Sequence, residues 1–132
     1  MIVLDASVVI AFMNAGDAHS DGAFDLLDEQ EWDEFAIHPH TLAEVLVRPS
    51  SQGRADEALA DLHRIGIERW MPDPGYPGRI AAIRAGSRLS LADCCPLDAA
   101  EQLGARLATF DARLAAVARG RGVEVIGIGT QD

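Results

Sequence analysis

Five short apolar runs alternate with longer stretches of helical character, and this alternation restricts the fold more than any other feature of the chain. The runs are Ile2-Val3-Leu4, Phe35-Ala36-Ile37, Ile67-Glu68-Arg69-Trp70, Arg106-Leu107-Ala108-Thr109-Phe110 and Val123-Glu124-Val125-Ile126. Strands separated by helices pair in parallel, because a parallel neighbour needs a crossover long enough to hold a helix. The expected fold class is therefore α/β, with a mainly parallel central sheet of four or five short strands and helices on both faces. Sheets of this kind bind ligands at the carboxyl ends of their strands.

The helices have readable limits. Ser7 is a candidate cap for a helix over Val8–Met13, although the β-branched residues there weaken it. A second helix is expected from Ala18 to about Glu31, with Ala23, Phe24 and Leu27 facing inward. Pro39 suits the first turn of a third helix through Leu42, Val45 and Leu46. Pro49-Ser50-Ser51-Gln52-Gly53 should break that helix. Ala55–Arg64 presents Ala58, Leu59 and Leu62 as an inner stripe. A short helix over Arg79–Ala85 precedes Ser90-Leu91-Ala92-Asp93, which opens a helix ending near Gly104. Pro96 in that helix predicts a small distortion. A last helix covers about Ala112 to Arg119.

Length and composition limit the function. The 132 residues, 48 % hydrophobic but only 5 % aromatic, suit one domain over residues 1–132 with a core of Leu, Val, Ile and Ala. No apolar run approaches the roughly 20 residues of a membrane helix. The start lacks a basic region and meets Asp5 at once, so a cytoplasmic protein is expected. Cys94 and Cys95 are adjacent, and neighbours rarely meet disulfide geometry; two small buried helix residues are expected instead.

The formal net charge is −10. This argues against binding nucleic acid through a basic surface. It leaves room for a nuclease whose carboxylates hold divalent cations, since those ions reverse the local sign. All 11 basic residues are arginines at or after Arg48, and there is no lysine.

Four acids stand out by position. Asp5 ends the first run and Asp111 follows the fourth, so both belong at the carboxyl edge of the sheet. Asp93 starts a helix and Glu44 lies within one. Converging carboxylates repel unless a divalent cation binds between them, and Mg²⁺ and Mn²⁺ prefer oxygen ligands. Structural roles compete with this reading. Asp93 fits a capping box with Ser90, Asp111 fits an N-cap, and Glu44 lies off the Leu42–Val45–Leu46 stripe.

Four segments carry a family resemblance. Val3-Leu4-Asp5-Ala6-Ser7-Val8-Val9-Ile10 resembles the opening strand and turn of PIN domains, especially VapC toxins. Leu42-Ala43-Glu44-Val45-Leu46, Leu89-Ser90-Leu91-Ala92-Asp93 and Leu107-Ala108-Thr109-Phe110-Asp111 resemble their other acidic motifs, in the family's order. The resemblance spans nearly the whole chain. It implies a three-layer α/β/α PIN-like domain. It also implies Mg²⁺- or Mn²⁺-dependent cleavage of RNA to 5′-phosphate and 3′-hydroxyl ends. Asp5, Glu44, Asp93 and Asp111 would be the catalytic and metal-binding set. Ser7 and Thr109 match small polar positions beside the pocket. Arg48, Arg84, Arg88 and Arg113 are candidates to hold backbone phosphate. A homodimer silenced by a small VapB-like antitoxin is implied as well.

Two features fall outside the pattern. Asp98 stands where an apolar or small residue is expected. It lies 140° around a helix from Asp93, which makes it peripheral to the pocket. His38-Pro39-His40 has a spacing a metal could use, but nothing near it in sequence completes a site; loop or capping roles are expected. His19 and His63 are expected on the surface. The competing functions are a phosphoacceptor receiver, which would need a lysine, a catalytically silent PIN-like binding protein, and a DNA-directed nuclease.

Overall fold

The computed structural model describes residues 1–127. Five strands and seven helices alternate as β1 (Ile2–Leu4), α1 (Ala6–Met13), α2 (Ser20–Glu29), β2 (Phe35–Ile37), α3 (Pro39–Ser51), α4 (Ala55–Arg64), β3 (Ile67–Arg69), α5 (Tyr76–Ala85), α6 (Leu91–Leu103), β4 (Arg106–Thr109), α7 (Ala112–Gly120) and β5 (Val125–Gly127). The strands form one sheet in the order β3-β2-β1-β4-β5, and every pairing is parallel.

Alternation along β1 builds a core on each face of the sheet. Ile2 and Leu4 point to the side covered by α1–α4, where Val8, Leu42, Val45 and Leu62 are buried. Val3 points to the other side, where Leu97, Leu114 and Ala118 pack from α6 and α7 and Ile83 from α5. The result is a three-layer α/β/α domain. Each fully buried Leu or Ile contributes roughly 1.5–3 kcal/mol.

The topology fixes where a ligand belongs. From β1 the chain steps outward through β2 and β3, then returns to the opposite side of β1 for β4 and β5. The direction of winding reverses between β1 and β4, and a crevice opens there at the carboxyl ends. Register brings the two strand ends level: Leu4 pairs with Ala108, and the Asp5 N–H donates to the Ala108 carbonyl at 3.0 Å.

Several expectations need correction. Asp5, not Ser7, is the N-cap of α1, because β1 turns into the helix within one residue. On α2 the buried residues are Ala23 and Leu26. Phe24 is 61 % exposed, with its ring stacked on Phe12 at 6.2 Å. Leu59 is exposed while Ala58 and Leu62 are buried. Both helices are too short for the apolar pattern to fix the inner face to within one residue. Helix α3 runs through Pro49 to Ser51; a proline in the last turn disturbs few backbone bonds. Pro96 likewise leaves α6 continuous, because every residue from Cys94 to Ala100 is buried and packing holds the helix. The last strand begins at Val125, not Val123.

Gly127 is the tightest backbone position. Its φ is +101°, and a Cβ there would lie 2.5 Å from the Thr109 carbonyl oxygen. Gly127→Ala must therefore shift the end of β4. It is expected to cost more than about 1 kcal/mol in urea unfolding, whereas Gly78→Ala, in the first turn of α5 with open space around it, should raise the midpoint slightly.

Candidate metal and active site

Asp5 is 5 % exposed at the end of the central strand. Although it occupies the N-cap position, its carboxylate does not cap α1. Its Oδ2 accepts instead from Ser7 Oγ and from Thr109 Oγ1, each at 2.8 Å. Each hydroxyl proton is thereby used. The hydroxyl oxygens then accept backbone donors: Phe110 N–H reaches Ser7 Oγ at 3.0 Å, and Asp111 N–H reaches Thr109 Oγ1 at 2.9 Å. The start of α1 and the end of β4 are thus tied to one carboxylate oxygen. No donor among the described residues reaches Oδ1, the oxygen left for a cation.

Asp111 is half-buried and caps α7. Its Oδ1 accepts from Arg113 N–H at 2.9 Å and Leu114 N–H at 3.0 Å, and no donor among the described residues reaches Oδ2. Asp93 lies in the first turn of α6, where its own N–H donates to Ser90 Oγ at 3.1 Å. The capping roles read from sequence are therefore real. They use part of each residue's hydrogen-bonding capacity and do not prevent a second role. Glu44 extends from α3 on an exposed position.

Electrostatics joins the four acids. The Glu44 carboxyl is pushed up by partial burial, then by the charges of Asp5 and Asp93, with His40 opposing. Asp93 is also pushed up, chiefly by burial and further by Asp5 and Asp111, while hydrogen bonds from Ser90 pull it down. In both, burial is the larger cause and the neighbouring negative charges add to it. Among the described residues, no three possible metal ligands meet at one metal-sized point. The donor chemistry fits a hard divalent cation: only carboxylate oxygens, among them Asp5 Oδ1 and Asp111 Oδ2 with no donor among the described residues.

Around the acids lie groups that the sequence left without a role. His38 is fully buried. Its Nδ1 accepts from His40 N–H at 3.0 Å and caps α3, so the capping expectation holds, although its burial was not legible. Asp98 is 1 % exposed and bound in a fork by Arg79: Nε donates to Oδ1 at 2.8 Å and Nη2 to Oδ2 at 3.1 Å. It stays outside the acid cluster but is buried. Arg48, Arg84, Arg88 and Arg113 form no ion pair among the described residues. A groove of about 550 Å³ lies beside the acids and shares only Glu44 with them; Ile10, Met13, Val45, Leu62 and Ile65 supply its apolar wall, and Arg48 and Arg54 are on its rim.

Residues 2–120 match the model of the PIN domain family, and the chain belongs to that family. No curated protein sequence matches it. Among solved structures it is similar to VapC20 of Mycobacterium tuberculosis, described as a sarcin-ricin loop cleaving toxin. The identity is 21 % and the TM-score 0.65, over 88 % of this chain and 94 % of that one. It is similar to FitAcB of Neisseria gonorrhoeae at 19 % identity and TM-score 0.70, over 95 % and 96 % of the two chains. It is also similar to VapBC2 of Rickettsia felis, solved bound to a DNA fragment from its promoter, at 16 % identity and TM-score 0.72, over 95 % and 97 %. At these identities the likeness establishes the fold.

Two predictions follow from the contacts. Thr109→Val takes a donor from Asp5 and the acceptor from Asp111 N–H in a fully buried setting; the expected cost is about 1–3 kcal/mol in urea unfolding. Burial holds the His38 imidazole at about 4, with His40 adding to the effect. A folded value below the unfolded one means that the unfolded chain binds more protons between the two. The stability His38 contributes is complete above about pH 6.5 and is lost as pH falls toward 4. Wild type should therefore lose about 2 kcal/mol more than His38→Asn between pH 7 and pH 5.

Proposed function

We propose that this protein is a Mg²⁺- or Mn²⁺-dependent endoribonuclease and the toxin of a VapBC-type toxin–antitoxin pair. The observation that carries this reading is the mutual electrostatic crowding of Asp5, Glu44, Asp93 and Asp111 beside the β1–β4 switch point. Membership of the PIN family and likeness to solved toxin–antitoxin proteins support it.

A bound divalent cation would supply an activated water and offset the charge gathering on the phosphodiester. Asp5 Oδ1 and Asp111 Oδ2 are the oxygens available to hold it. Ser7 and Thr109 fix the Asp5 carboxylate in direction, because both hydroxyls donate to it. Glu44 and Asp93 complete the ligand set or orient the attacking water. Cleavage leaves a 5′-phosphate and a 3′-hydroxyl. No side-chain nucleophile is required, which agrees with the burial of both cysteines. Arg48, Arg84, Arg88 and Arg113 are the cations available to the RNA backbone.

The antitoxin would lie in the groove between α1, α3 and α4, which brings it alongside Glu44. An apolar wall with a rim carrying both signs of charge suits an amphipathic helix. The protein would act as a homodimer in the cytoplasm.

The test is cleavage of a fluorescent RNA with Mn²⁺. Asp5→Asn is expected to lower the rate about 100-fold or more, with single-stranded DNA of the same sequence cut far more slowly. Undiminished cleavage by Asp5→Asn would overturn the assignment. Mn²⁺ should also raise the unfolding midpoint of the native chain and do so less for Asp5→Asn, because a cation that binds only the folded state stabilises it.

A further inference from the structure

Two groups stand out because stability alone does not account for them. His38 is fully buried, and among the described residues its Nε2 has no hydrogen-bond partner; nor does the Oγ1 of Thr41, buried one turn along the same helix. A serine or asparagine would cap α3 without burying an unpaired ring nitrogen. Asp98 and Arg79 form the second group. Replacing such a buried pair with apolar residues is often neutral or favourable, so the pair is weak evidence for stability and better evidence for a fixed arrangement.

Both groups sit on helices that carry site acids. His38 caps α3, and Glu44 follows six residues later, about 9 Å along the axis. Asp98 lies on α6 five residues after Asp93, about 7.5 Å along and turned to the opposite side. Asp93 thus faces the acid cluster while Asp98 faces α5. Helix α3 packs against α6, and α6 against α5. The His38 ring is wedged between Trp70 at 5.9 Å and Tyr76 at 5.6 Å, with His40 at 5.8 Å. Tyr76 opens α5, the helix that carries Arg79. Arg79 Nη1 also donates to both carboxylate oxygens of Asp73, at 3.0 and 3.1 Å. The start of α3, the middle of α6 and the start of α5 are therefore fastened to one polar block.

We propose that His38 and the Arg79–Asp98 pair are positioning residues that set the separation between Glu44 and Asp93, so that the two carboxylates address the same cation. The inference rests on the reading of these acids as a metal site. Neither group touches the cation. His38 fixes the first turn of the helix that carries Glu44, and Arg79 holds α6 at the height that presents Asp93. The charge of Asp98 also reaches His38, which joins the two devices.

The test is Mn²⁺ binding to the full chain, followed by calorimetric titration and by the loss of the free-ion paramagnetic resonance signal. His38→Leu removes the cap and the ring. Arg79→Met with Asp98→Leu removes the ion pair without leaving a buried charge. Each is expected to weaken Mn²⁺ about 10- to 100-fold, and His38→Asn, which keeps an acceptor for His40 N–H but lacks the ring, should recover only part of the loss. Combining His38→Leu with Glu44→Gln should bind no more weakly than Glu44→Gln alone, because a residue that acts through Glu44 has nothing left to position. Wild-type affinity in folded variants, or independent losses in the double variant, would overturn the proposal. If His38→Leu does not fold, the Arg79–Asp98 replacement decides. A native chain that binds no Mn²⁺ would sink the metal-site reading together with this one. Binding weakened by Glu44→Gln but untouched by the other changes would sink only the positioning role.

Discussion

The hydrogen bonds that fix one buried carboxylate tie the carboxyl edge of this parallel sheet together. Asp5 is buried at the end of the central strand, beside the point where the winding direction reverses; its charge pushes up the Glu44 and Asp93 carboxyls, in each case after the larger effect of burial. Such a grouping disfavours the folded state unless hydrogen bonds, water or a cation offset it. The two hydroxyl donors on Asp5 Oδ2 offset part of it. Those donors are themselves held by backbone N–H groups, so the local fold and the charge of the site are one system.

The opposite edge of the sheet is arranged differently. There Asp33 is bound by the Met1 amine at 2.7 Å and by Arg106 at 2.8 Å. These partners hold its carboxyl down at about 2. Glu101 is paired with Arg121. At the amino edge Asp33 and Glu101 are matched by cations, whereas at the carboxyl edge Asp5 is met by two hydroxyls and Asp111 by backbone N–H groups. A chain with formal charge −10 can still meet a polyanion if dications gather at that one edge.

Much of this was legible in the sequence, for physical reasons. Short apolar runs between helices leave few solutions other than a parallel sheet, so the element order and both helix-covered faces could be read directly. The ends of the runs pointed to Asp5 and Asp111, because a strand's carboxyl end is a fixed place in such a sheet. Ser90 and Asp93 declared a helix start through local spacing. What failed depended on tertiary packing. Phe24 and Leu59 each lay one position off the true inner stripe. Pro49 did not end its helix, since backbone bonds near a terminus are few. His38 gave no sign that it was buried, because a histidine beside a proline looks like a surface turn. Asp98 gave no sign of its burial, because its partner, Arg79, is 19 residues away and no local pattern links them. Pairings of that kind emerge only when helices pack.

The central claim is that the four acids share a cation, and anomalous diffraction from crystals soaked in Mn²⁺ tests it most directly. The account predicts a strong peak within coordination distance, about 2–2.3 Å, of Asp5 and Asp111 oxygens, with Glu44 and Asp93 drawn toward it. A fully occupied Mn²⁺ elsewhere on the chain, with no density among these four carboxylates, would contradict it.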